Sequence, residues 1–398
     1  VNLYPFAETV AKPDVTLEEA LENIDIGGPT MIRAAAKNFT SVLVVVDPED
    51  YSWVAAKIIE GTVTFEDRRN LAFKAFQHVA VYDSLISDYL QDPNDNFPDK
   101  TTFAYSKLYD LRYGENPHQK AAFYSDLTNA GIASARLLHG KELSYNNILD
   151  ADAAWRVVSH FDVAAVAVIK HTNTCGLACH DDQVEAYERA FAGDPVSAFG
   201  GIVAFNRKLS ADTALAMSKT FYEIVIAPDY DEEALTILTK KRDLRILSLG
   251  DDKGNNDGLE IRQVSGGILL QTQDTLTEYP GMWEVVSERK PTNEELTDMV
   301  FAWKAVKHIK SNAIVLVKGN MLVGMGAGQP NRVNSVHLAV KAAGNSSSGA
   351  VLASDAFFPF PDGLEAGAAG GVTAVIQPGG SIRDKEVIEA ANKLGLAM

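Results

Sequence analysis

Cysteine is scarce: two in 398 residues, Cys175 and Cys179. Two thiols so close in sequence cannot staple a chain of this length, so a disulfide framework is excluded and a reducing, cytoplasmic setting is expected. Long apolar runs are missing as well. The longest, residues 163–169 (VAAVAVI), falls far short of the roughly 18 residues a membrane helix needs, so a soluble protein with no membrane partner is expected. Basic charge is in deficit, with 36 Lys and Arg against 53 Asp and Glu and a net charge of −17. Counterion release rewards a basic surface, which argues against nucleic acid as a partner. A few local cations can still gather a small anionic substrate in one cleft. Low-complexity sequence is confined to residues 345–349 (NSSSG), and no short-period repeat is evident.

What is present is ordinary globular material. Hydrophobic residues make up 46% and charged residues 22%, enough to exclude global disorder, and the length suggests two or three domains of about 150 residues. Residues 1–4 read as a strand. Residues 16–23 read as a helix with a Thr N-cap and an acidic first turn, followed by a second helix to about Asn38 and a buried strand at 41–46 (SVLVVV). Helical spacing of Leu71, Phe73, Phe76 and Val79 predicts a helix over 65–90. Residues 92–102 (DPNDNFPDKTT) break the pattern and mark a domain boundary. Beyond it, strands at 163–169 and 201–205 alternate with helices ending near 191 and spanning 211–221. A hairpin at 314–317 and 321–323 precedes a final helix–strand alternation with a strand at 374–376. The fold class is α/β throughout.

The sharpest chemical cluster follows the strand ending at Ile169: Lys170-His171-Thr172-Asn173. A strand ending in adjacent Lys and His sets a fixed charge and a titratable base at the carboxyl edge of a sheet, where open α/β folds place ligands. Neighbours on an extended strand diverge, so both serve one site only if a turn begins near Lys170. A solvated lysine beside a hydrogen-bonded histidine is the bland alternative. His171, Cys175, Cys179 and His180 also gather soft ligands, but zinc spacings and the deaminase H-x-E with P-C-x-x-C signature are missing, and buried structural thiols are the better reading. Residues 324–332 (GMGAGQPNR) form a glycine-rich loop. Pro330 and the lack of an acid about 20 residues on weaken a nicotinamide-dinucleotide reading, leaving close approach to an anion with Arg332 as its grip. Asn312 suits orientation of an amide or formyl group, or a helix cap. Residues 355–362 (DAFFPFPD) offer aromatics on a stiff loop, either to stack a heterocycle or to anchor the loop. Arg112 is a candidate for phosphate or a surface charge. Near the start, Asp25, Arg33 and Lys37 flank Gly27-Gly28, which opens a helix whose amides could hold phosphate.

Taken in order, IDIGG at Ile24, AAAKN at Ala34, LRYGENPHQ at Leu111, LSYNN at Leu143, IKHTN at Ile169, DPVSAFGG at Asp194, KSNAI at Lys310, GMGAGQPNRV at Gly324 and SDAFFPF at Ser354 resemble one family along the whole chain. It is the bifunctional purine-biosynthesis family with phosphoribosylaminoimidazolecarboxamide (AICAR) formyltransferase and inosine monophosphate (IMP) cyclohydrolase activities. The resemblance implies formyl transfer from 10-formyltetrahydrofolate to the 5-amino group of AICAR, then ring closure to IMP with loss of water. It implies His171 and Lys170 as catalytic, with Asn312 positioning the formyl donor. Arg112, Tyr113 and Arg332 would bind nucleotide. Phe357, Pro359, Phe360 and Asp362 would hold nucleotide and folate, with Asn331 and Val333 on the folate side. Asp355 and Ser311 match the family's monovalent-cation site, for which potassium is expected, and no zinc is implied. Tyr4, Asp25 and Lys37 match cyclohydrolase positions. Residues 1–104 would be the C-terminal part of a methylglyoxal-synthase-like cyclohydrolase domain and 105–398 a formyltransferase domain of two cytidine-deaminase-like lobes. A homodimer sharing its transferase sites is expected. The resemblance also implies about a hundred further residues before Val1 and a final strand after Met398, without which cyclisation would be lost and formyl transfer impaired. A catalytically impaired nucleotide-binding or dimerisation fragment is the alternative from a different class.

Overall fold

The computed structural model of the chain describes residues 1–128, 130–250, 258–275 and 280–398. They divide into two compact units: residues 1–107, 124–128 and 258–273 in one, residues 108–123, 129–257 and 274–398 in the other.

The first unit is built on helices α1 (Phe6–Val10), α2 (Leu17–Glu22), α3 (Gly27–Lys37), α4 (Tyr51–Glu60) and α5 (Phe65–Leu90). Thr16 caps α2 and Thr64 caps α5, each in a reciprocal box with an acid three residues on, Glu19 and Asp67. The boxes satisfy amides that the first helical turn leaves without partners. Ile32 and Ala36 of α3 meet Ala72, Ala75 and Val79 of α5, with Val44 and Val46 closing the cluster. Two expectations change here. Phe73 and Phe76 are exposed, since the buried stripe of α5 runs through Leu71, Ala72, Ala75, Val79 and Tyr82. Residues 1–4 and 41–46 lie in no strand: Val1 donates its terminal amine to the Val45 carbonyl at 2.9 Å, and a single such bond does not make a ladder.

Strands β1 (Ser106–Leu111) and β2 (Ala121–Ser125) pair as a two-stranded ribbon. The second unit then follows through β3 (Arg136–His139), α6 (Tyr145–Ser159), β4 (Ala165–Lys170), β5 (Asn173–Cys179), α7 (Gln183–Gly193), α8 (Pro195–Ala198), β6 (Ile202–Phe205), α9 (Ala211–Met217), β7 (Ile224–Ala227), α10 (Glu232–Leu238) and β8 (Arg245–Ser248). A hairpin of β9 (Leu259–Val264) and β10 (Gly267–Thr272) belongs to the first unit. The chain continues with α11 (Asn293–Val306), β11 (Ile314–Val317), β12 (Leu322–Gly326), α12 (Arg332–Ala343), β13 (Val351–Ser354), α13 (Asp362–Ala369), β14 (Ala374–Ile376) and α14 (Asp384–Lys393).

One sheet of the second unit has the order β3-β8-β7-β6-β4-β5 and the other β12-β11-β13-β14. In each, a hairpin lies antiparallel to the next strand, which runs parallel to its successor. The order of elements is a duplication. Ser144 and Thr292, the capping-box residues of α6 and α11, stand 148 positions apart, as do Gly176 and Gly324 in β5 and β12. A Cβ on Gly176 would lie 2.0 Å from the Ala190 carbonyl oxygen of α7, and one on Gly324 would lie 2.2 Å from that of Ala339 in α12. Close helix–strand approach therefore demands glycine at both places.

Strand side chains alternate between faces, and here both faces are apolar. Ala167, Ile169, Ile202 and Ala204 of the larger sheet share a core with Val315, Val317, Val351 and Ala353 of the smaller, with α6 and α11 between them. The opposite face of the larger sheet packs Val166, Val168, Val203 and Phe205 under α7 and α9. That of the smaller packs Ile314, Leu316 and Leu352 under α12, α13 and α14. Burial on both faces explains the unbroken apolar runs of these strands.

Candidate active site

The turn between β4 and β5 is two residues long. Lys170 pairs with Asn173 across it, and the residues between, His171 and Thr172, have φ of 53° and 59°. Both are left-handed, the conformation of a type I′ hairpin turn. The strand thus ends where the sequence requires it to end if Lys170 and His171 are to serve one place. The Lys170 ammonium donates to the Phe199 carbonyl at 2.8 Å, and the amides of His171 and Thr172 donate to the two carboxylate oxygens of Asp150 at 3.1 and 2.7 Å. His171 is exposed.

Asn312, Arg332, Asp355 and Ser311 converge in a second cluster. The guanidinium of Arg332, at the start of α12 and 8% exposed, donates to Ser354 Oγ and Asn312 Oδ1 at 2.7 and 2.8 Å and to the Asp355 carboxylate. Asn312 in turn donates its amide to the Gln329 carbonyl at 2.7 Å, so both ends of its side chain are fixed. Burial alone would push the Asp355 carboxyl up. Hydrogen bonds from Arg332, Ser311 and the Ala313 amide outweigh burial and hold it below the usual carboxylate range. Asn331 caps α12 by accepting from the Val333 amide at 3.0 Å. The glycine-rich segment is shorter as a loop than its sequence suggests. Gly324 and Gly326 belong to β12, and a Cβ on Gly326 would fall 2.0 Å from the Ser335 carbonyl oxygen; these glycines admit α12.

An isolated antiparallel bridge joins Ala178 of β5 to Met321, the residue before β12.

In the aromatic loop the two readings divide by residue. Phe358 is the anchor, buried, its amide donating to Gln377 Oε1 at 2.6 Å. Phe357 and Phe360 stand 40% and 46% exposed, with the Arg383 guanidinium 4.7 Å from the Phe360 ring centroid. Pro359 is exposed between them, and Asp362 opens α13, accepting from the Gly363 amide at 2.8 Å. Arg112 lies 5.8 Å from the ring centre of Tyr113. Among the described residues, no hydrogen bond, ion pair or ring contact joins His171 to Phe357 or Phe360.

In the first unit, Asp25 Oδ1 accepts from the Gly28 amide at 2.7 Å. The Gly28 amide, offered by the sequence as a phosphate donor at the helix start, is thus taken by the chain's own carboxylate. The Tyr82 hydroxyl accepts from the Asp25 amide at 2.8 Å and donates to the Asn23 carbonyl at 3.0 Å, a neighbour that sequence spacing gave no means of finding. Tyr4 and Lys37 are exposed, and Arg33 lies over the Phe76 ring at 5.7 Å. Cys175 and Cys179 are largely or fully buried, and burial pushes both thiols up to about 12, so they remain protonated at neutral pH.

The two-sheet unit and its polar edge define an α/β enzyme scaffold, and comparison with known proteins assigns the family. The family described as AICARFT/IMPCHase bienzyme matches residues 35–342, and the chain belongs to it. It is 50% identical over 435 residues to the bifunctional purine biosynthesis protein purH of Dictyostelium discoideum, covering 100% of this chain and 80% of that protein. It is also 52% identical over 402 residues to the bifunctional purine biosynthesis protein PurH of Listeria monocytogenes serovar 1/2a, covering 100% of this chain and 79% of that one. The PurH protein of Oceanobacillus iheyensis is 50% identical over 401 residues, with 100% and 79% covered.

Proposed function

We propose that this chain transfers a formyl group from 10-formyltetrahydrofolate to the 5-amino group of AICAR and closes the product to IMP with loss of water. The reading rests above all on the two-residue turn that ends β4 and carries Lys170 and His171 side by side at the sheet edge. The aromatic amine is a weak nucleophile. As its nitrogen attacks the formyl carbon, the carbonyl oxygen gains negative charge, which the Lys170 ammonium stabilises, while the His171 imidazole accepts the amine proton. Collapse of the tetrahedral adduct breaks the bond to folate N10, which leaves with a proton.

In this reading Asn312, fixed at both ends, orients the formyl donor. Arg112, Tyr113 and Arg332 serve the nucleotide side; Asn331, Val333, Phe357, Pro359, Phe360 and Asp362 serve the loop that holds nucleotide and folate. The Asp355 carboxylate and Ser311 hydroxyl are oxygen donors of the type a potassium ion takes, and such an ion would brace the cluster. Tyr4, Asp25 and Lys37 serve ring closure, in which the carboxamide nitrogen attacks the new formyl carbon and proximity supplies most of the acceleration.

Residues 1–104 are assigned to the methylglyoxal-synthase-like cyclohydrolase domain and 105–398 to a transferase domain of two cytidine-deaminase-like lobes, which the 148-residue duplication favours. Exposed Val196, Phe199 and Phe221, at 85%, 62% and 41%, stand around the carbonyl that holds Lys170 and suit a homodimer interface at a shared site. A cytoplasmic location fits protonated thiols. The test is steady-state formyl transfer by the chain and by H171A: a loss of at least about 100-fold is expected for removing a catalytic base, and equal rates would remove the assignment.

A further inference from the structure

We propose that Asp150 is the positioning residue for the catalytic pair, holding the Lys170–His171 turn in a conformation its own residues disfavour. This rests on the formyl-transfer reading above. The comparison that carries it is internal to the fold. The second hairpin, β11–β12, ends in the turn Lys318-Gly319-Asn320-Met321, with φ of 61° at Gly319 and 56° at Asn320. The amides of those two residues donate to the two carboxylate oxygens of Asp298, at 2.8 and 2.7 Å. Asp298 is the sixth residue after the α11 cap Thr292, and Asp150 the sixth after the α6 cap Ser144. From each aspartate the first clamped amide lies 21 positions on, at His171 and at Gly319. The same carboxylate clamp therefore occurs in both copies.

The occupants differ. Glycine and asparagine adopt left-handed backbone readily, which is why they dominate type I′ turns. Histidine does so less readily, and a β-branched threonine at positive φ is an outlier. In the second copy the clamp secures a turn the residues already favour. In the first it secures His171 and Thr172 against their preference, and the geometry that puts the ammonium and the imidazole at one edge depends on it. Two convergent charge-assisted bonds to consecutive amides suit that task. The carboxylate is spent on backbone amides, so Asp150 acts through the turn and needs no contact with substrate.

The experiment uses the full chain as wild type, D150N, D298N and the double variant D150N/T172G, and measures steady-state formyl transfer, thermal unfolding and the φ of residues 171 and 172 by crystallography. D150N is expected to lower kcat by about 10- to 100-fold, the scale of an ångström misplacement, with KM for the nucleotide changed less than about twofold. D298N should lower the melting temperature while keeping kcat within about threefold of wild type. Glycine at position 172 removes the steric objection to left-handed backbone, so D150N/T172G should recover at least half of the lost kcat. Unchanged kcat in D150N, equal losses in D150N and D298N, or no recovery in the double variant would each overturn the proposal. So would a D150N turn that keeps both positive φ values, an arm that decides even if the wild type proves inactive and the formyl-transfer reading itself falls.

Discussion

Removing the charge of Asp355 should unfasten the polar cluster around Asn312. The side chains of Arg332 and Asp355 are 8% and 16% exposed, so the pair sits mostly out of water. Deleting one member of a buried pair costs about 3–5 kcal/mol, because the other charge is left uncompensated. In D355N the amide keeps the shape and one acceptor, so the expected loss is about 3 kcal/mol, near the lower end of that range. The R332M single variant and the double variant complete a cycle, whose coupling energy should exceed about 1.5 kcal/mol for groups in direct contact. The pH dependence has a definite sign. The folded carboxyl lies below its ordinary value of 3.8, so its contribution is whole above that pH and fades as pH falls through the lower folded value. D355N should flatten this acid limb. Urea unfolding followed by a probe in the second unit, at pH 7 and pH 3.5, measures all of it. A D355N loss under about 0.5 kcal/mol, or coupling under the same figure, would refute the view that the pair holds the cluster together.

Two further outcomes follow from the duplication. His160 and His308, again 148 positions apart, meet edge to face at 4.6 Å where α6 and α11 end. Burial, then the neighbouring His160, Lys307 and Arg156, pushes His308 from 6.5 down to about 3. The unfolded chain then binds the extra proton between those values, so stability falls as pH drops below 6.5, by up to about 2 kcal/mol at pH 5. H308Q should reduce this slope in unfolding curves measured from pH 7 to 5, and an unchanged slope would contradict the assignment. G176A would drive a methyl into the Ala190 carbonyl of α7 from 2.0 Å. Backbone cannot swing aside, so about 3 kcal/mol or more should be lost, and a melting temperature within about 2 °C of wild type would show that α7 yields.

Much of the element order was legible. The Thr16 cap and the apolar run at β4 need only local physics, and local physics does not change on folding. Residues 41–46 show the limit: an apolar run meets the requirement for burial, but a strand also needs a neighbour, and no sequence window contains one. The site divides in the same way. Lys170, His171, Asn312, Arg332 and Asp355 stand out by residue type and motif. Asp150, Tyr82 and the Phe199 carbonyl do not, because their parts are defined by partners 21, 57 and 29 positions away.

The sequence by itself determined an acidic α/β chain with a lysine–histidine strand end, because composition, periodicity and capping act within a few residues. Tertiary structure alone decided how the two halves of the second unit correspond residue by residue, with an aspartate clamp in each copy. The signature of that correspondence is a spacing of 148 positions carried by a few capping, glycine and carboxylate residues, and only packed helices and hairpins bring those residues into register.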